Sequence, residues 1–201
     1  MILKISDVGN VIHGVTLSRI EPKVSEDSET YQLFTIQELS EEVSKFSSDI
    51  NEKQIEVSKE RFDSLYLAKD NMVIIGLTSF KALAVSDKQI GKVIPSNFVF
   101  IELDTNKVDP AYFSWYFNEH PEVERQLQIA MQGTILRALS VQMLRELKII
   151  LPPLNTQRII GKVYILKRRN EKLLYKKSIL EEQLYKGIFL RKLKEENKIC
   201  H

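Results

Sequence analysis

Cysteine occurs once in these 201 residues, at Cys200 beside the last position, so no internal disulfide can staple the fold. Long hydrophobic runs are missing too. No stretch nears the ~20 apolar residues of a membrane-spanning helix, which makes a membrane role unexpected. Histidine is sparse, and His13, His120 and His201 stand far apart without a second ligand at useful spacing, so no metal is expected. No Gly-x-x-x-x-Gly-Lys phosphate loop exists, since Gly91-Lys92 and Gly161-Lys162 lack the upstream glycine. The opening Met1-Ile2-Leu3-Lys4-Ile5-Ser6-Asp7 meets charge too early for a secretory signal, and the cytoplasm is the expected compartment. Proline is absent after Pro153, which leaves a long final segment free to be one helix.

What is present divides in two. An apolar fraction of 43% is ordinary for a soluble chain and sets disorder aside. The net charge of +2 hides an asymmetry. Residues 155–201 carry 13 Lys and Arg against 5 Asp and Glu, whereas residues 1–154 carry 16 against 22. Much of the acidity lies in residues 21–63, with 12 acids against 5 bases. An acidic globule with a basic tail is not the simplest DNA-binding design, which places basic surface on the contact face.

The first part reads as α+β. Ile2 to Val15 suggests a short strand ending in the His13-Gly14 turn, and Leu17 to Glu29, with Pro22, a loop. Tyr31 to Ile36 suggests a strand, Gln37 to Lys45 a short helix and Ser47 to Lys53 a loop. Met72 to Leu77 and Lys81 to Val85 suggest buried strands around Thr78-Ser79; Lys92 to Ile94 and Asn97 to Leu103 suggest another pair. Asp109-Pro110 opens a helix carrying Tyr112, Phe113, Trp115, Tyr116 and Phe117, whose clustering points to core packing rather than base stacking. Glu122 to Met131 follows Pro121 as a second helix, ended by Gly133. Strands first and helices later argue against regular βαβ winding.

From Ile159 the period changes. Ile159, Leu166, Leu173 and Leu180 recur every seven residues, interleaved with Val163, Asn170, Lys177 and Leu184. Such a seam predicts a coiled coil, with Asn170 and Lys177 as polar positions that fix register at a cost in stability. A lone helix cannot hide this stripe, and the chain holds no second segment of equal length, so self-association or docking on another protein is expected. The basic set Lys162, Lys167, Arg168, Arg169, Lys172, Lys176 and Lys177 suits either a solvated face or a face toward DNA or an acidic partner.

Catalysis finds little support. Leu151-Pro152-Pro153-Leu154 is superficially similar to the Asn/Asp-Pro-Pro-aromatic site of amino-methyltransferases. It lacks the polar head and the aromatic that would hold a flipped base. Glu146-Leu147-Lys148 has the Glu-x-Lys spacing of metal-dependent nucleases, but only the distant Asp109 could serve as its acidic partner. A charged edge on a half-exposed strand explains it as well.

The junction is the most specific stretch. Gly133-Thr134 runs into Leu139-Ser140, then the strand Leu147 to Leu151, then Pro152-Pro153-Leu154, Gln157 and Ile160. The prolines end the ladder, and Asn155 or Thr156 is the expected cap of the following helix. This ordered set resembles the join between target-recognition domain and spacer helix in specificity subunits of type I restriction–modification systems. Thr156 stands where that family usually has Glu, and Leu136 where a polar residue is common. Ile5-Ser6-Asp7-Val8, Tyr31 to Ile36, Leu67 to Ile75 and Tyr112-Phe113 fall in the order such domains show. The resemblance implies a recognition domain over residues 1–154 and a spacer and dimerisation helix over 155–201. Family members usually carry two of each, so the chain looks like a half-subunit. It implies double-stranded DNA as target, methyltransferase and restriction–translocase subunits as partners, and an antiparallel homodimer. It also implies no catalysis and no cofactor in this chain, with S-adenosylmethionine, ATP and magnesium belonging to the partners. Candidate DNA contacts are then polar groups on loops: His13, Thr16 and Arg19; Thr78, Ser79 and Lys81; Thr134 and Arg137. Two other functions stay open, a stand-alone dimeric DNA-binding regulator and an interaction module of the methyltransferase assembly that reads no DNA.

Overall fold

The computed structural model describes residues 1–44, 52–132 and 138–199, with side chains described to residue 195. Met72–Gly76 and Phe98–Leu103 are apolar at almost every position and become the central strands β5 and β7 of a four-stranded antiparallel sheet. Its order is β2-β7-β5-β6, with β2 at Gly9–His13 and β6 at Ala82–Ala84. Successive side chains point to opposite faces. Val73, Ile75, Val99 and Ile101 therefore meet Tyr112, Phe113 and Tyr116 of helix α3 (Pro110–Glu119), while Met72, Ile74, Phe98 and Phe100 meet Phe34 and Leu39. Both faces are covered, which is why neither central strand alternates apolar with polar. Each such burial stabilises the fold by about 1.5–3 kcal/mol.

The first face is completed by α4 (Pro121–Ala130), α5 (Val141–Glu146) and a two-stranded sheet of β1 (Ile2–Lys4) with β8 (Lys148–Ile150). The second is completed by α2 (Ile36–Val43). A third cluster, Val15, Ile20, Leu33, Val57 and Val93, lies under the hairpin of β3 (Ser28–Leu33) and β4 (Lys53–Ser58) and beside α1 (Leu17–Ile20). The α+β expectation holds. Several local expectations do not. Leu17 to Glu29 is not a plain loop, because it contains α1 and the first residues of β3. Ile36 belongs to α2 rather than to a strand, and Lys53 opens β4. Lys92 to Ile94 forms no sheet strand; Val93 makes single bridges to Leu33 and Leu67.

Helix starts follow their caps. Asp109 accepts the Tyr112 N–H at 2.8 Å ahead of Pro110, and Ser140 accepts that of Met143 at 3.1 Å. The long helix α6 runs from Leu154 to Ile199, 46 residues, or ~69 Å at 1.5 Å per residue. Asn155 and Thr156, the expected caps, already lie inside its first turn, where Thr156 and Gln157 donate to the Pro153 carbonyl. The anchor is the side chain of Gln157, only 1% exposed. It accepts the Asp109 N–H at 3.1 Å and donates to the carbonyls of Lys107 (3.0 Å) and Pro152 (2.9 Å). One turn later Gly161 lets α6 lie against α3, where a methyl group would stand 2.7 Å from Asp109 Oδ1 and the Tyr112 nitrogen.

Candidate nucleic-acid interface

The register of the sheet and its flanking hydrogen bonds gather four chain segments at one end. His13 closes β2 opposite Val99, and Gly76 closes β5 opposite Phe98. The Gly14 N–H donates to Phe98 O at 3.0 Å, Leu77 N–H to Asn97 O at 3.2 Å, and Leu139 N–H to Leu77 O at 2.9 Å. His13-Gly14, Ser96-Asn97, Leu77 to Lys81 and Leu139-Ser140 therefore share this end of the molecule.

The turn from β5 to β6 is held stiffly. Phe80 sits at φ +54°, a left-handed conformation costly for a bulky side chain, and its ring packs on the main core. Gly76 closes the turn by donating to Lys81 O at 3.0 Å and accepting from Phe80 N–H at 3.1 Å. A methyl group on Gly76 would collide with Ser79 Oγ. Ser79 Oγ is buried with no hydrogen-bond partner among the described residues, while Thr78 and Lys81 are exposed on either side of it. The turn thus presents Thr78 and Lys81 outward on rigid backbone and keeps Ser79 inward.

The other candidates divide. His13 is exposed, its Nδ1 3.1 Å from the Gly14 carbonyl. Thr16 is exposed at the start of α1 and makes no side-chain capping bond. Arg19 is exposed, and its backbone carbonyl accepts from Arg61, whose side chain also binds Glu26 at 2.8 Å. There the Arg61 guanidinium holds the Glu26 carboxyl down at about 2. The Arg19 backbone is thereby tied to the hairpin lobe. Thr134 and Arg137 lie outside the described residues. Ser96 and Asn97 join the loop end without having been singled out; the signal was the Pro95-Ser96-Asn97 run, which reads as easily as a strand start.

The nuclease-like spacing resolves as surface pairing. Glu146 bonds Lys4 Nζ at 2.6 Å, both about half exposed, and Asp109 is committed to capping α3. Among the described residues no group of three His, Cys, Asp or Glu could hold a metal ion.

The seam of α6 lies bare. Ile159, Val163, Leu166, Leu173, Leu180 and Leu184 are each between 53% and 64% exposed, and Asn170 and Lys177 are exposed among them. The globule packs on the opposite side through Gln157, Gly161 and Tyr164. Part of the basic set turns inward. Arg168 donates to the carbonyls of Glu42 (3.3 Å) and Ser44 (3.4 Å), and Lys172 binds Glu42 at 3.0 Å. Burial pushes the Glu42 carboxyl up, but hydrogen bonds from Lys172 and Lys88 outweigh it and leave the group below its ordinary range. Arg169 and Lys176 stay exposed with no carboxylate partner among the described residues.

Among the described residues no helix is long and apolar enough to cross a membrane. Comparison with known proteins agrees with the architecture. The solved HsdS subunit from Thermoanaerobacter tengcongensis superposes with a TM-score of 0.59 at 17% identity over 91% of this chain and 46% of that one. The type I restriction–modification S subunit from M. genitalium gives 0.54 at 12% identity over 96% and 45%. A chain from a structural study of complex assembly and conformational transition of the type I R-M system gives 0.62 at 17% identity over 91% and 46%. The chain thus spans just under half the length of the solved proteins it matches. No curated protein matches it. The family model for the type I restriction modification DNA specificity domain matches residues 1–183, from β1 through most of α6, and the chain belongs to that family.

Proposed function

We propose that this chain reads one short half-site of double-stranded DNA with the loop end of its four-stranded sheet, and that two copies joined along α6 read a bipartite target. The observation that carries this reading is the bare seam: six large apolar side chains of α6, each more than half exposed. A ~69 Å helix spans about two turns of B-DNA at ~34–36 Å each, so an antiparallel pair would hold two globules a fixed distance apart. A two-fold pair reads the same half-site twice in opposite directions. Contacts at the loop end would come from His13, Thr16, Thr78 and Lys81, with Thr134 and Arg137 in the adjoining stretch.

The chain itself would catalyse nothing. It would direct methyltransferase subunits and restriction–translocase subunits, which would hold the S-adenosylmethionine, ATP and magnesium. Those partners would also supply the basic clamp that the acidic globule lacks. The test is to co-purify the chain with a type I methyltransferase subunit and map methylated adenines. Two inverted half-sites at one fixed spacing are expected, and Thr78→Ala with Lys81→Ala should abolish or relax the methylation pattern while the complex stays assembled. A single uninterrupted, asymmetric site would overturn the reading.

A further inference from the structure

Beyond Leu180, every residue of α6 through 195 is exposed among the described residues, so roughly its last third awaits a partner. Resting on the paired-helix reading above, we propose that a second copy of this chain covers the seam in one defined register, with Val163 level with the partner's Leu180. The seam chemistry selects it. In an antiparallel pair each seam residue meets one of the other interleaved set. With Val163 on the partner's Leu180, Ile159 falls on the partner's Leu184, and the two-fold repeats both, giving four fully apolar layers. Asn170 then meets the partner's Leu173 near the centre, and Lys177 the partner's Leu166, from which its long stem can carry the ammonium to water.

Sliding by one step in either direction loses half of those layers. In one direction Ile159 meets the partner's Arg191 and Val163 the partner's Gly187, leaving apolar only the pairing of Leu166 with the partner's Leu184. In the other, Ile159 meets the partner's Lys177, while Leu180 and Leu184 reach the very start of the partner's helix and lose their seam partners. Each apolar layer removes side chains from water that are now more than half exposed, a contribution of order 1 kcal/mol or more. Charge favours the antiparallel sense. Residues 155–177 hold eight Lys and Arg against one Glu, and residues 178–201 five against four acids. Parallel helices would stack the two strongly basic halves; antiparallel ones set each against the nearly neutral half.

The register carries one unfavourable consequence that makes it testable. Arg169 and Lys176, seven residues apart, share one flank beside the seam and are exposed. Antiparallel helices bring like flanks together, so Arg169 faces the partner's Lys176, twice about the two-fold axis.

The experiment uses the full chain with Cys200→Ser, which removes its single thiol. Val163→Cys combined with Leu180→Cys should give covalent dimers with a short bis-maleimide, and neither substitution alone should. Cross-linking by Val163→Cys alone would mean parallel helices and overturn the proposal. So would cross-linking by Leu166→Cys with Leu184→Cys but not by the first pair, since that reports the slid register. Arg169→Glu, at a solvent-exposed site, should tighten the dimer about three-fold or more by turning two repulsions into ion pairs. An unchanged or weaker dimer would count against the register. A chain that sediments only as a monomer sinks the paired helix itself, whereas a dimer linked through another pair sinks the register alone.

Discussion

At the scale of the residue, the joint between globule and helix depends on two side chains with little tolerance for change. Gln157 fills three partly buried backbone hydrogen-bonding positions: the Asp109 N–H and the carbonyls of Lys107 and Pro152. Gln157→Ala leaves them unsatisfied and should lower stability by about 2–3 kcal/mol, read as a shifted midpoint in urea denaturation. Gly161→Ala should also destabilise, by about 1–3 kcal/mol, because its methyl group meets backbone and a committed carboxylate rather than a flexible tip. Gly187→Ala is the control. Nothing lies within 4 Å of a methyl group there, so the change should stabilise the helix by up to ~1 kcal/mol. Should both glycine substitutions move the midpoint the same way, the close approach of α3 and α6 is not what Gly161 provides.

At the scale of the element, α2 and α6 are fastened by charge. Glu42 takes Lys172 from α6 at 3.0 Å and Lys88 at 3.1 Å, and these contacts hold its carboxyl below the ordinary value despite burial. A carboxylate whose pKa is lowered by folding stabilises the fold fully above its unfolded value, about 4.3. That contribution is lost as pH falls through the lowered folded value. Acid should therefore loosen this contact below about pH 4, and Glu42→Gln should flatten that limb of the stability–pH curve while costing stability at neutral pH. Thermal denaturation of both forms from pH 3 to 7 distinguishes them; parallel curves would show that the pair contributes nothing. This fastening was invisible in the sequence, because Lys172 and Glu42 are 130 positions apart and a basic run looks the same whether solvated or paired. The apolar runs of β5 and β7, the Asp109-Pro110 helix start and the heptad seam were legible, since each is written in local period or capping chemistry. The strand β4 was not. Its Lys53-Gln54-Ile55-Glu56-Val57-Ser58 buries only one edge of a two-stranded lobe, so the pattern is mostly polar. The loop end of the sheet was legible only as scattered polar residues, because antiparallel register, not spacing, brings His13, Asn97 and Thr78 together.

At the scale of the whole molecule, the uneven charge predicts that two associations respond to salt with opposite sign. DNA binding, wherever its phosphate contacts lie, weakens as salt rises because releasing counterions into a more concentrated bulk gains less entropy. The helix pair should do the reverse. In the proposed pair the attraction would be apolar, carried by Ile159, Val163, Leu180 and Leu184, with basic residues flanking the seam on both copies. Screening over ~8 Å at physiological ionic strength removes the repulsion and leaves the apolar term intact. Sedimentation from low to high sodium chloride should therefore show the dimer tightening by several fold, and fluorescence anisotropy with a cognate duplex should show affinity falling steeply over the same range. The two curves together define a window in which a pre-formed pair engages DNA. A dimer that loosens with salt would mean that its flanks attract, which Arg169 and Lys176, exposed and without a carboxylate partner among the described residues, do not allow in an antiparallel pair.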